Sequence, residues 1–193
     1  MAESQTAARI AFGRKKFLMK EGVEAVTVRR MADVVGTSSM AIHKHYVNRE
    51  VLLNAIAGVS FEELGKAWSK PAEVVGFDER FAKLLDAFLD LALARPHLYT
   101  FLHTTRREEA RCFPTDFRGC GSRTYSPIMR VIEQGIHEGL LRSDDALEVT
   151  LVFVSGVQGL VQLYQAGHIS LSKQDFRAPC LRSVRRILDG VGA

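Results

Sequence analysis

Residues 27–46, Thr-Val-Arg-Arg-Met-Ala-Asp-Val-Val-Gly-Thr-Ser-Ser-Met-Ala-Ile-His-Lys-His-Tyr, read as two short helices joined by a glycine turn. Thr27 suits an N-cap, because its hydroxyl can accept from a first-turn amide that has no partner inside the helix. Val28, Met31, Ala32 and Val35 then fall on one helical face. Gly36 follows, and a chain that reverses this tightly needs a residue tolerant of positive φ. Ser38 caps a second helix through about His45, and Asn48 caps a longer one towards Trp68. Upstream, Ala7, Ile10, Phe17 and Leu18 make an apolar stripe at helical spacing that ends at Gly22.

In a helix-turn-helix the first helix of the pair lies across a nucleic-acid backbone, and the second enters the major groove N-terminal end first. Ser39, Met40, Ala41, His43 and Lys44 are the residues such a helix exposes here, while Ile42 and the Tyr46 ring are expected to turn inward. The helix starts at Thr27 and Asn48 offer unpaired amides and a positive dipole end to phosphates. The full candidate contact set is Thr27, Val28, Arg29, Ser38, Ser39, Met40, Ala41, His43, Lys44, His45, Tyr46 and Arg49. Charge agrees with this placement. Residues 1–49 carry nine Lys/Arg against four acids, a net of +5, whereas the whole chain is +4, so the rest is close to neutral. A basic segment beside a near-neutral body is the footprint of a module that meets phosphates.

The segment resembles the TetR family of bacterial regulators. The family pattern is matched through Thr27, Val28, Met31, Ala32, Gly36, Ser38, Ile42, His45, Tyr46, Arg49, Glu50 and Leu52, and in the preceding helix through Ile10, Phe17, Leu18 and Gly22. Gly139-Leu-Leu-Arg-Ser-Asp144 is similar to the family's lead into its dimerisation helices. Four positions depart. His43 replaces a tyrosine that commonly meets a phosphate; an imidazole can donate there too, and a pH-sensitive DNA affinity is the hypothesis this raises. Met40 replaces a glycine and puts an apolar side chain within reach of a thymine methyl. Arg49 replaces a lysine, keeping the charge and adding a bidentate fork for phosphate. Arg14 replaces an alanine. These departures imply an operator unlike those of closer-matching relatives.

Downstream of a break at Lys70-Pro71 to Gly76, the pattern stays helical. Phe81, Leu84, Leu85, Phe88, Leu89 and Ala92 make a stripe across 78–94, flanked by Leu91; Pro96 restarts the chain, and that helix is expected to end near Arg107. Residues 108–120 read as irregular, followed by helices over about 123–138 and 145–167 and a last one capped by Ser172 with Asp175. The 145–167 segment is apolar on nearly every side, which calls for burial all round, by a second copy of the chain or, as the alternative, by a single-chain core. Val154, Gly159, Val161, Leu181, Val184 and Leu188 are the expected interface. The resemblance implies an inducer site in the same body, and Trp68, Phe88, Leu91, Tyr99, Leu102, His103, Arg106, Met129, Gln158 and Gln162 could line an apolar cavity with a few orienting polar groups. For each of these residues, ordinary core or interface packing is the competing reading.

The sequence has 47% hydrophobic and 25% charged residues, which suits a soluble globular chain. A membrane span and a signal peptide are not expected. Cys112, Cys120 and Cys180 lack metal or redox spacing, with a Cys112–Cys120 pair the less favoured alternative to free thiols. His43 and His45 diverge on a helix, and His97 and His103 lack a third ligand, so neither metal nor cofactor is expected. No nucleophile or phosphate-loop motif supports an enzyme. The expectation is therefore an all-α chain of about nine helices, with a DNA-binding domain over 4–64 and an effector-binding and dimerisation domain over 72–193. Its expected role is that of a cytoplasmic, homodimeric regulator, a repressor released from double-stranded palindromic operator DNA by a small, largely apolar effector. An effector-independent DNA-binding or protein-partner adaptor is the alternative.

Overall fold

The computed structural model describes residues 17–69, 76–107, 110–118 and 124–192. Ala7, Ile10, Arg14, the break at Lys70-Pro71 and Cys120 lie outside the described residues. Among those described there are nine helices and no strand. Residues 17–21 form α1, followed by α2 (Val28–Val35), α3 (Ser39–His45), α4 (Arg49–Ser69), α5 (Phe77–Ala94), α6 (Pro96–His103), α7 (Tyr125–His137), α8 (Ala146–Gln165) and α9 (Lys173–Val191). An isolated antiparallel bridge joins Leu141 to Gly192. The all-α expectation holds.

The chain divides into two compact units, Met1–Glu63 with Ala94–Ala110, and Leu64–Leu93 with Arg111–Ala193. In the first, Leu18, Val26, Met31, Ile42, Leu52, Ile56, Leu98 and Phe101 are all 1% exposed or less. The expected caps close its helices. Thr27 Oγ1 accepts from Arg30 N at 3.2 Å, Ser38 Oγ from Ala41 N at 3.1 Å, and Asn48 Oδ1 from Val51 N at 2.9 Å. Helix α6 stops at His103, short of the expected Arg107. The Thr104 amide and hydroxyl both donate to Thr100 O, at 2.9 and 2.8 Å, and the Thr105 amide joins them at 3.0 Å. Short hydroxyl side chains that bond the backbone locally compete with helix continuation.

In the second unit the α5 stripe is buried as expected, and Leu91 with it. Phe176, Cys180 and Val184 bury one face of α9. Asp145 caps α8 by accepting from Leu147 N at 2.8 Å, and Ser172 caps α9 by accepting from Asp175 N at 3.1 Å. The Ser172 hydroxyl also donates to the Asp175 carboxylate at 2.7 Å. Arg177 of α9 grips α5 through Asp86, at 3.0 Å, and Asp90. By length and composition α8 is apolar enough to cross a membrane, against the expectation of no such segment. Its Val149, Thr150, Phe153 and Val161 are nevertheless buried inside this unit, as in a core helix.

Candidate nucleic-acid interface and body cavity

Helix α2 is closed by Gly36 in the left-handed region, φ 68° and ψ 39°. The Thr37 amide reaches back to Ala32 O at 2.9 Å and the Gly36 amide to Asp33 O at 3.3 Å, so the helix ends abruptly and α3 turns away. Two apolar anchors hold the pair. Met31 and Ile42 are fully buried, with Ala32 at 2%. On the other side of α3, Ser39, Met40, His43, Lys44 and His45 are exposed and Ala41 half-exposed; Met40 is 82% exposed. Thr27, Arg29 and Ser38 are exposed beside them, and Val28 partly so. The Arg30 guanidinium sits 5.1 Å from the Phe17 ring centroid, tying α2 to α1.

Two residues of the candidate contact set lie inward, Tyr46 as expected of its ring and Arg49 against expectation. Tyr46 is only 9% exposed; it ends α3, its amide donating to Ile42 O at 2.9 Å, and its ring belongs to the core rather than to an outward surface. Arg49 turns inward. Its Nε donates to Val26 O and its Nη2 to Val23 O, both at 2.8 Å. The sequence shows a guanidinium but not which acceptors it finds, and the nearest ones are backbone carbonyls of the α1–α2 turn.

Still within the first unit, α4 and α6 share a sheltered polar face. His103 meets Tyr99 at 5.1 Å and Phe61 at 6.2 Å between ring centroids. Arg107 stands over the Phe61 and Phe101 rings at 5.6 and 5.4 Å and donates to Leu102 O at 3.2 Å. Burial, then the Arg107 charge, push His103 down to about 4. Burial likewise lowers Arg107, opposed by the Glu50 carboxylate, and raises the Tyr99 phenol. Of the residues expected in an effector pocket, Tyr99, Leu102, His103 and Arg106 thus belong to the first unit. Arg106 is exposed.

The second unit holds a half-open apolar cleft with a cavity volume of about 40 Å³, lined by Phe81, Leu84, Leu85, Phe88, Ile128, Phe153, Val154, Val157 and Val184. Phe88 is the one expected pocket residue among them, with Trp68 against it at 6.0 Å between centroids. Leu91 and Met129 are buried elsewhere in this unit's core, Gln158 is half-exposed and Gln162 exposed. The cleft walls were missed because they lie on the same apolar stripes that build the core. Polar flags cannot find a site that has almost no polar wall.

The expected interface residues also divide. Val154, Val161 and Val184 are 7%, 0% and 3% exposed, already used within the single chain, with Val154 and Val184 lining the cleft. Gly159, Leu181 and Leu188 stay partly exposed. Val152 at 54% and Leu163 at 48% exposed lie eleven residues apart on α8, about 20° from one helical azimuth. Cys112 is exposed and Cys180 buried. Among the described residues no three His, Cys, Asp or Glu side chains converge as metal ligands.

The sequence profile described as "Tetracyclin repressor-like, C-terminal domain" matches residues 81–190. No curated protein sequence matches the chain. Among solved structures, a protein of unknown function from Rhodococcus superposes with a TM-score of 0.76 at 20% identity, over 97% of this chain and 95% of its own. A TetR transcription regulator from Haloarcula marismortui gives 0.75 at 20% identity, over 98% and 100%. A TetR-family transcriptional regulator from Pectobacterium atrosepticum gives 0.71 at 16% identity, over 100% and 97%.

Proposed function

The chain belongs to the tetracycline-repressor-like (TetR) family of transcriptional regulators, and from that premise we propose that it is a dimeric repressor that reads palindromic operator DNA. One observation carries the reading: α3 is anchored by Ile42 at 0% exposure while Ser39, Met40, His43 and Lys44 face outward from the same short helix. A helix held from behind and presenting small, apolar and cationic groups suits a major groove flanked by phosphates. The proposed DNA-binding domain spans 4–64 and the proposed effector and dimerisation domain 72–193, of which 94–110 group with the first compact unit. The protein works in the cytoplasm without catalysing a reaction.

A second copy of the chain would pair through α8 and α9. Val152, Gly156, Gly159 and Leu163 share one side of α8; Val152 and Leu163 are half-exposed there, and a Cβ at Gly156 would come within 3.3 Å of Ile187 of α9, so the glycines permit close helix approach beside apolar surface left partly open. Two recognition helices would then meet successive major grooves about 34–36 Å apart. Selection of random double-stranded DNA on the purified protein tests this directly. An enriched palindrome supports the reading; a folded dimer that enriches nothing removes it.

The apolar cleft beside Phe88, Phe153 and Val157 is the candidate effector site, suited to a small hydrophobic molecule. Release from DNA would follow if that molecule bound the DNA-free conformation more tightly. A specific observation favours the alternative of an effector-independent regulator: a cleft of about 40 Å³ lies far below the roughly 300–1,000 Å³ of ordinary ligand pockets. Thermal-shift measurements against apolar compounds separate the two, since a real site gives concentration-dependent stabilisation.

A further inference from the structure

We propose that Arg49 is a positioning residue for DNA recognition, a clamp that sets the angle at which α2 and α3 leave α4, rather than a phosphate contact. This rests on the DNA-binding reading above. The Nε and Nη2 groups lie on one edge of the planar guanidinium, so their two 2.8 Å bonds to Val26 O and Val23 O form a single rigid seat.

The placement of the acceptors gives the clamp its effect. Val26 immediately precedes Thr27, the cap of α2, and is fully buried. Val23 O also accepts from Val26 N at 3.1 Å, so the whole α1–α2 turn is drawn onto the one side chain. Arg49 itself is the first residue of α4, directly after the Asn48 cap. A fork at that point joins the start of α4 to the start of α2 across 23 and 26 residues of chain. Helix α3 follows α2 through the Gly36 turn and the buried Met31 and Ile42, so an error at α2 is carried to Met40, His43 and Lys44. A lysine has the same charge but one donor head, and cannot make the paired bonds from a planar edge.

The test uses the full-length protein with Arg49→Lys, Arg49→Ala and Lys44→Ala, the duplex enriched by wild type, and a random-sequence duplex. Salt dependence separates the two roles, because each neutralised phosphate contributes about 0.9 to the slope of log affinity against log salt. Both Arg49 variants are expected to bind the enriched duplex roughly tenfold more weakly, with the salt slope and the affinity for random-sequence duplex unchanged. Lys44→Ala, the comparator for a phosphate contact, should lower the slope. Wild-type-like binding by Arg49→Lys, with a lowered slope for Arg49→Ala, overturns the clamp and restores the phosphate contact. Hydrogen exchange without DNA is the second measurement: amides across 26–35 should lose protection in Arg49→Lys, and unchanged protection also overturns the proposal. If wild type enriches no duplex, the DNA-binding reading itself has failed, which the variants do not confuse with failure of the clamp.

Discussion

The His103 imidazole meets the Phe61 ring edge-on, with 6.2 Å between centroids and the planes at 90°. A histidine held against an aromatic ring and beside Arg107 is kept neutral, and its folded-state value is pushed down to about 4 by burial first and by Arg107 second. The unfolded chain takes up a proton near 6.5, so between pH 6.5 and 4 it binds a proton that the folded state refuses. This contribution is fully present above pH 6.5 and declines as the pH falls, by about 2–3 kcal/mol at pH 4.5. Urea unfolding at pH 7 and pH 4.5 should give a smaller stability difference for His103→Gln than for wild type. Equal differences would place the acid sensitivity elsewhere.

At Gly36 the backbone sits at φ 68°, yet a Cβ added there would meet nothing within 4 Å. The cost of a side chain is thus conformational and not steric, about 1–2 kcal/mol for an ordinary L residue and less for asparagine. Stability should fall in the order Gly, Asn, Ala, Val at this position, measured by denaturant midpoints. An alanine variant as stable as wild type would mean that the turn has another route.

Much of this architecture can be read from residue chemistry alone. Thr27, Ser38, Asn48 and Ser172 cap where a short hydroxyl or amide precedes a periodic run, because the capping bond is local. The α5 stripe is visible because its burial follows its spacing. The destination of Arg49 was not visible, since phosphate oxygens and turn carbonyls are equally good acceptors and the choice is made by tertiary placement. Val154, Val161 and Val184 could not be told from residues facing a second copy, because a helix apolar on every side does not show which neighbour covers which face. The cleft was hidden for the same reason: its walls are core residues beside a small gap.

Close packing in the second unit gives a coupled pair. A Cβ at Gly135 would lie 2.5 Å from Phe77 Cε2 and 3.1 Å from its Cδ2, so the ring must move if Gly135 becomes alanine. Phe77 is only partly buried and sits in the first turn of α5, which limits the penalty to the low end of the about 1–3 kcal/mol expected of overpacking. Gly135→Ala should destabilise, and Gly135→Ala combined with Phe77→Leu should cost less than the sum of the single changes. Additive effects in chemical denaturation would show that the ring yields without strain.

The exposed pair on α8 offers the sharpest test of assembly. Val152 and Leu163 are 54% and 48% exposed, so neither contributes much to the fold of a single chain. Replacing either with glutamate should change the stability of an isolated protomer by no more than about 0.5 kcal/mol. In a two-fold interface the same change brings two carboxylates into one apolar seam, one from each copy, where unpaired charge is costly. Sedimentation velocity should therefore find wild type as a dimer and the Val152→Glu, Leu163→Glu double variant as a folded monomer with native helix content. Because each half-site would then be bound singly, affinity for a palindromic duplex should drop while affinity for a single half-site is retained. A double variant that remains dimeric would move the interface off this side of α8, to the partly exposed Leu181 and Leu188 of α9.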